Sequence, residues 1–158
     1  MNLDFNLLPT PCYVVDERLL TRNLEILQSV QERTGCSILL AQKGFSMFSV
    51  YPLIGKYLKG VTSSSLFEAR LGFEEMGKEV HVYAPAYVEE EFDELLKYVD
   101  HIVFNSFAQW GKYRERVKAF SSSTGKKIEC GIRINPEYSE IQTPIYNPCY
   151  KYSRLGCK

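Results

Sequence analysis

The sequence predicts an α/β fold, namely a partial (β/α)8 TIM-like barrel with about five parallel strands and the helices that connect them. Strand-like and helix-like patterns alternate regularly along the 158 residues, and the connections between them are short. Neither G-x-G-x-x-G nor G-x-x-x-x-G-K-S/T occurs, so the motifs that usually indicate an open nucleotide-binding sheet are absent from the sequence. A closed barrel needs eight strands and about 250 residues, and we therefore expect an incomplete barrel.

The first elements are an extended segment, a helix and a strand. Residues 11–15 are extended, and Asp16 can cap a helix whose apolar residues recur at helical spacing as far as Gly35. The continuous apolar run at 38–41 is typical of a strand that is covered on both faces. A helix is predicted to follow over about 50–58.

The same alternation continues towards the carboxyl end of the chain. Ser65 and Glu68 fit the capping box Ser-x-x-Glu at the start of one helix, and Ser106 begins another. The polar stretch 121–125 is predicted to be a loop, and residues after 136 show no periodicity of either kind. Strands are predicted at 60–62, 80–84, 101–104 and 128–134.

Composition and charge restrict the possible partners. The formal net charge is zero, so no long-range field favours nucleic acid or an anionic membrane surface. No apolar run approaches the roughly 20 residues that span a bilayer, and no signal peptide is apparent. We therefore expect a cytoplasmic protein that binds neither nucleic acid nor a membrane.

Cysteine and histidine do not indicate a metal centre. The five cysteines are odd in number and no pair has C-x-x-C spacing, which argues against a disulfide framework and against a zinc site. His81 and His101 lie far apart in sequence and outside any ligand motif. They are predicted to be ordinary histidines near the starts of strands, with no metal bound.

Lys43 is the first candidate for chemistry. Strand alternation puts it on the same face as Leu39 and Ala41, at the carboxyl end of its strand, where parallel barrels place their active sites. Partial desolvation there would favour the neutral amine, which can form a Schiff base with a carbonyl. The alternative, which the pattern alone favours, is a surface lysine whose head reaches solvent.

Seven stretches in order carry a resemblance to a known family. The most distinctive are Asn-Pro-Glu-Tyr-Ser-Glu at 135–140 and Tyr-Asn-Pro-Cys at 146–149. On these stretches the chain resembles, over essentially its whole length, the carboxynorspermidine decarboxylases, which belong to the alanine racemase and ornithine decarboxylase fold group. The stretches are 10–14, 38–45, 63–72, 101–106, 131–140, 146–149 and 153–156.

The resemblance implies decarboxylation that depends on pyridoxal 5'-phosphate (PLP). Its substrate would be carboxynorspermidine or carboxyspermidine, and its product norspermidine or spermidine, in polyamine biosynthesis. Lys43 would be the catalytic residue that carries the cofactor, and Arg133, Ser65 and Glu68 are further cofactor-binding candidates. An ion pair for Arg133 and the capping box for the other two are the structural alternatives. The full-length family is expected to be homodimeric.

The resemblance also implies a domain organisation. Residues 1–15 would form an amino-terminal strand that normally pairs with a carboxyl-terminal β domain, and 16–158 an incomplete PLP-binding barrel. Family members are far longer, so we expect a truncated portion with little or no decarboxylase activity alone. The alternatives are another PLP barrel protein, of the diaminopimelate decarboxylase, alanine racemase or PLP-homeostasis type, and a non-catalytic fragment.

Overall fold

Five parallel strands form one sheet in the computed structural model, which describes residues 4–158. Their order in space, β1-β2-β3-β4-β5, is their order in the chain. An open doubly wound sheet reverses its strand order at a switch point, whereas consecutive order with parallel pairing is that of a barrel wall. The predicted partial barrel is confirmed. The strands are β1 Leu39–Ala41, β2 Gly60–Ser63, β3 Glu79–Tyr83, β4 His101–Phe104 and β5 Glu129–Ile132.

Five α-helices connect or flank the strands. The caps of the first helix are those that the sequence predicts: the Asp16 carboxylate accepts from the N–H of Arg18 at 2.9 Å, and Gly35 ends the helix with φ 72°. In the part of the chain that the structure describes, no helix is long and apolar enough to span a membrane. The helices are α1 Glu17–Thr34, α2 Tyr51–Ile54, α3 Leu66–Met76, α4 Phe92–Tyr98 and α5 Phe107–Thr124.

Two helix predictions were wrong at their bounds. The helix predicted over 50–58 is a 3-10 turn at Phe48–Val50 followed by the four residues of α2. Of the loop predicted at 121–125, residues 121–124 are instead the last turn of α5, and Gly125 is its C-cap. The Ser123 and Thr124 hydroxyls donate to the carbonyl of Phe120 at 3.0 and 2.8 Å, so these polar residues stabilise the helix end instead of interrupting it.

The two faces of the sheet are covered very differently. We call the face packed against helices the outer face, and its side chains form the centre of the core. The opposite, inner face is covered by no element that the structure describes, so the prediction that 38–41 is covered on both faces was wrong. The fully buried side chains of the outer face are Val61, Val80, Val82, Ile102 and Phe104. The inner-face side chains include Leu39, Ala41, Thr62, Glu79, His81, Tyr83, His101, Val103 and Glu129.

Helix α3 lies close against the outer face because Gly72 has no side chain. A Cβ at this position would be 2.3 Å from Cγ2 of Val61, far inside van der Waals contact. The glycine therefore sets the distance between β2 and α3, the helix that follows this strand.

The carboxyl-terminal segment is irregular, as predicted, apart from a 3-10 turn at Pro144–Tyr146. It returns to the end of β5, where the N–H of Asn135 donates to the carbonyl of Cys157 at 2.7 Å. At the other end, residues 4–15 form no strand in the structure, Phe5–Leu7 is a 3-10 turn, and 1–3 lie outside the described residues. The pairing of 1–15 with a further domain stays a prediction.

Candidate active site

An open groove of about 380 Å³ lies on the inner face, at the carboxyl ends of the strands. Strand register brings Ala41, Thr62 and His81 to one level across three strands. Because ligands of parallel β/α sheets bind at the carboxyl ends of the strands, this groove lies where a barrel active site is expected. Its lining is formed by Ala41, Lys43, Thr62, Ser63, Ser64, His81, Val82, Tyr83 and Val103.

Lys43 lines this groove just beyond the end of β1. The N–H of Gln42 donates to the carbonyl of Thr62 at 3.2 Å and extends the strand ladder by one step, and the N–H groups of Gly44 and Phe45 then turn back onto Ala41. The predicted position at the strand end is thus observed. The expected desolvation is not, since the lysine side chain is exposed on the uncovered inner face.

Gln42, the neighbour of Lys43, fixes the strand end from the outer face. Its side chain is 2% exposed, and its Oε1 accepts a hydrogen bond from the Ser63 hydroxyl at 2.7 Å. Its Nε2 has no partner among the described residues. Gln42 is not among the predicted site residues, although strand alternation places the residue between Ala41 and Lys43 on the buried face.

Arg133 lies beyond β5, on the other side of the groove from β1. Its guanidinium is 4.7 Å from the centre of the Tyr83 ring, a cation–π contact, and Tyr83 lines the groove. Within residues 4–158 it forms no ion pair, so the structural alternative considered for it is not observed there. The candidate arginine therefore borders the groove through Tyr83.

Asn105 connects Tyr83 with the carboxyl-terminal segment. Its Oδ1 accepts from the Tyr83 hydroxyl at 2.7 Å and from the N–H of Gly156 at 2.7 Å, while its Nδ2 donates to the carbonyl of Arg154 at 2.9 Å. One amide group thus makes three hydrogen bonds that join the end of β3 to the carboxyl-terminal segment at the rim of the groove. Asn105 belongs to the matching stretch 101–106, but nothing in its sequence neighbourhood indicates this role.

Ser65 and Glu68 cap α3 as predicted, except that Glu68 bonds to the N–H of the residue before the N-cap Ser65. The Ser65 hydroxyl accepts from the N–H of Glu68 at 3.3 Å, and Oε2 of Glu68 accepts from the N–H of Ser64 at 2.6 Å. Neither residue lines the groove, whereas Ser63 and Ser64 do. The capping role is observed, and the cofactor role of both residues stays a prediction.

The structure brings together two histidines that the sequence treats as unrelated. His81 and His101 are register partners on β3 and β4, and their rings stack with centroids 3.8 Å apart. Oε2 of Glu79 lies 3.3 Å from Nε2 of His81 and 4.0 Å from Nε2 of His101, and its Oε1 lies 3.4 Å from Nζ of Lys59. Burial lowers the pKa of His81, which opposes its protonation despite the adjacent carboxylate.

Comparison with known proteins gives one consistent group. No family model matches the chain. It is 46% identical over 149 residues to the carboxyaminopropylagmatine decarboxylase of a Synechocystis strain, and 42% identical over 149 residues to the carboxynorspermidine/carboxyspermidine decarboxylase of Campylobacter jejuni. Each alignment covers 94% of this chain and 37% of the relative.

A solved structure has the same fold over this region. The crystal structure of the Campylobacter jejuni carboxynorspermidine decarboxylase complexed with norspermidine matches with a TM-score of 0.81 and 39% identity. The match covers 95% of this chain and 36% of that one. The chain therefore spans little more than a third of the length of these relatives.

Proposed function

Because this chain is homologous to part of the carboxynorspermidine and carboxyspermidine decarboxylases, we propose that it serves in the PLP-dependent decarboxylation of a carboxylated polyamine. The observation that carries the proposal is the position of Lys43 in the inner-face groove at the carboxyl end of β1. A homodimer and a cytoplasmic location are part of the same proposal.

The groove is compatible with the cofactor. Lys43 presents an exposed primary amine to a space of about 380 Å³, and an amine of this kind can attach a carbonyl compound as a Schiff base. When bound there, PLP supplies the electron sink that decarboxylation requires. The protein's contribution is to orient the substrate and to place charge around it.

Three parts of the chain would do this positioning. Gln42 and Ser63 hold the end of β1 against β2, which fixes the origin of the Lys43 side chain. Arg133, stacked on Tyr83, brings a permanent positive charge to the opposite side, where it would attract a substrate carboxylate or an oxygen of the cofactor. Ser65 and Glu68 remain candidates for a lesser cofactor contact.

The substrate class follows from the relatives. Their names specify carboxynorspermidine, carboxyspermidine and carboxyaminopropylagmatine, so the proposed substrate is an amine chain with a carboxylate at the reacting end. A panel of these three compounds would rank them. The 158 residues alone are not expected to turn any of them over at the rate of a complete enzyme.

The decisive experiment traps the cofactor on the chain. The purified protein is incubated with PLP and reduced with borohydride, and the modified lysine is identified by peptide mass spectrometry. We expect the label on Lys43, and its loss together with the visible absorbance of the bound cofactor in Lys43→Ala.

The exposed Lys56 provides the matched control, because Lys56→Ala should keep both signals. Labelling spread evenly over surface lysines, or absorbance retained in Lys43→Ala, would refute the assignment.

A further inference from the structure

We propose that Glu79, His81 and His101 form a binding site for a divalent transition-metal ion such as Zn²⁺ on the inner face of the sheet. Glu79 and His81 lie two residues apart on one face of β3, and His101 is the register partner of His81 on β4. The ligand atoms that the three side chains offer all lie within 4.8 Å of one another. His81 also lines the groove that holds Lys43, so the site would form part of the groove's floor.

The distances are close to those of a metal centre. Zinc bonds of 2.0–2.1 Å in tetrahedral geometry separate neighbouring ligand atoms by about 3.3 Å. Oε2 of Glu79 is 3.3 Å from Nε2 of His81 and 4.0 Å from Nε2 of His101. The His81 and His101 rings are stacked at an interplanar angle of 20°, so both must turn about their side-chain bonds to aim Nε2 at one ion, and side chains that are 29–36% exposed have room for that movement.

The donor set selects the type of ion. Two imidazoles and one carboxylate suit Zn²⁺ and the neighbouring first-row metals, whereas Mg²⁺ and Ca²⁺ prefer oxygen ligands alone. Three protein ligands leave a fourth position for water or another ligand, as in catalytic zinc sites.

The surroundings support a metal-binding orientation. Nζ of Lys59 lies 3.4 Å from Oε1 of Glu79, which orients the carboxylate and leaves Oε2 directed at the histidines. A simple hydrogen-bonded cluster explains the contact of Glu79 with His81. Stacking on His81 accounts for the position of the His101 ring, and its Nε2 lies 4.0 Å from Oε2, beyond hydrogen-bonding distance but within reach of a shared ion.

The chain offers an unusually clean test, because it contains only two histidines and both belong to the site. Protein labelled with ¹⁵N-histidine is treated with EDTA and titrated with ZnSO₄, and the two imidazole signals are followed by NMR. We expect both to shift together and to saturate at one equivalent. This readout detects histidine ligation alone, so zinc bound to the free cysteines does not imitate it.

Variants then identify the ligands by calorimetry with the same ion. Glu79→Gln and His101→Gln should each weaken Zn²⁺ binding at least tenfold. Glu129→Gln is the matched control, because Glu129 is the register partner of His101 but pairs with Lys127 outside the cluster. Lys43→Ala should bind normally, which keeps this test separate from that of the proposed decarboxylase function.

Three results would overturn the site. They are imidazole signals that do not move with zinc, a shift of one histidine alone, and unchanged affinity in His101→Gln. The first two need no variant, so they stand even if a substitution disturbs folding.

Discussion

The outer and inner faces of the sheet are built from the same five strands, yet different forces organise them. On the outer face, side chains such as Val61 and Phe104 are fully buried, and each contributes roughly 1.5–3 kcal/mol through burial. On the inner face, residues such as His81 and Tyr83 stay partly exposed and interact through stacking and hydrogen bonds across strands. Burial against the helices and contacts between neighbouring strands are thus divided between alternate residues of each strand.

The largest expected effect tests this division directly within β4. Phe104→Ala should cost about 3–5 kcal/mol, because it empties a fully buried position among Tyr87, Trp110 and Tyr113. Its neighbour on the inner face is the control: Val103→Ala should cost about 1 kcal/mol or less. Urea denaturation of both variants measures the difference. Equal losses of unfolding free energy in the two variants would show that the two faces contribute equally to stability.

The helices and strands that local patterns specify were the features that the sequence could predict. Apolar spacing and caps such as Asp16 and Gly35 located α1 within a residue, because these signals act within one turn of helix. The end of α5 was missed because the hydroxyl of Thr124 bonds back into the helix, whereas its residue type usually indicates a loop.

The inner face was predictable only in part. Alternation and family resemblance together placed Lys43 at the groove, since its position depends on a single strand. The contact of His81 with His101 depends on the register between two strands that are joined through a whole helix, and no local pattern specifies that register. The hydrogen bonds of Asn105 with Tyr83, Arg154 and Gly156 also join distant parts of the chain, so no local pattern specifies them.

A second prediction concerns the packing of α3 on the outer face. Gly72→Ala should destabilise the chain by up to about 3 kcal/mol, because the new methyl group would overlap the Val61 side chain. Gly111→Ala is the control on the exposed side of α5, where no atom lies within 4 Å of the added Cβ. It should gain up to about 1 kcal/mol from helix propensity alone. Thermal denaturation distinguishes the two, and stabilisation by both would contradict the close approach.

The third prediction concerns the hydrogen bond that holds the end of β1 on the outer face. Among the described residues, the Ser63 hydroxyl is the one donor to Oε1 of the buried Gln42. Ser63→Ala removes it, and an unsatisfied acceptor of this kind costs about 1–2 kcal/mol. Ser123→Ala removes a hydroxyl in an exposed helix end and should change the free energy of unfolding by less than about 0.5 kcal/mol. Urea denaturation checks both. If Ser63→Ala were as stable as the parent, the hydrogen bond would not hold the end of β1.

The smallest effect on stability is expected at the rim of the groove. Asn105→Ala removes the acceptor of the Gly156 N–H and the donor to the carbonyl of Arg154, at a net cost of about 0.5–1.5 kcal/mol. The consequence should be local, because these contacts connect the carboxyl-terminal segment to the sheet without belonging to its core. Amide hydrogen exchange at Gly156 should therefore accelerate up to about tenfold while exchange in β3 stays unchanged.

The control for this last prediction is Asn147→Ala, which removes a turn hydrogen bond to the N–H of Cys149 inside the same segment. It should leave exchange at Gly156 unaffected, because Asn147 makes no contact with the sheet among the described hydrogen bonds. If both variants accelerated Gly156 equally, the segment would be held by its own turns. Acceleration in Asn105→Ala alone would show that one inner-face amide holds the segment at the side of the groove bordered by Tyr83 and Arg133.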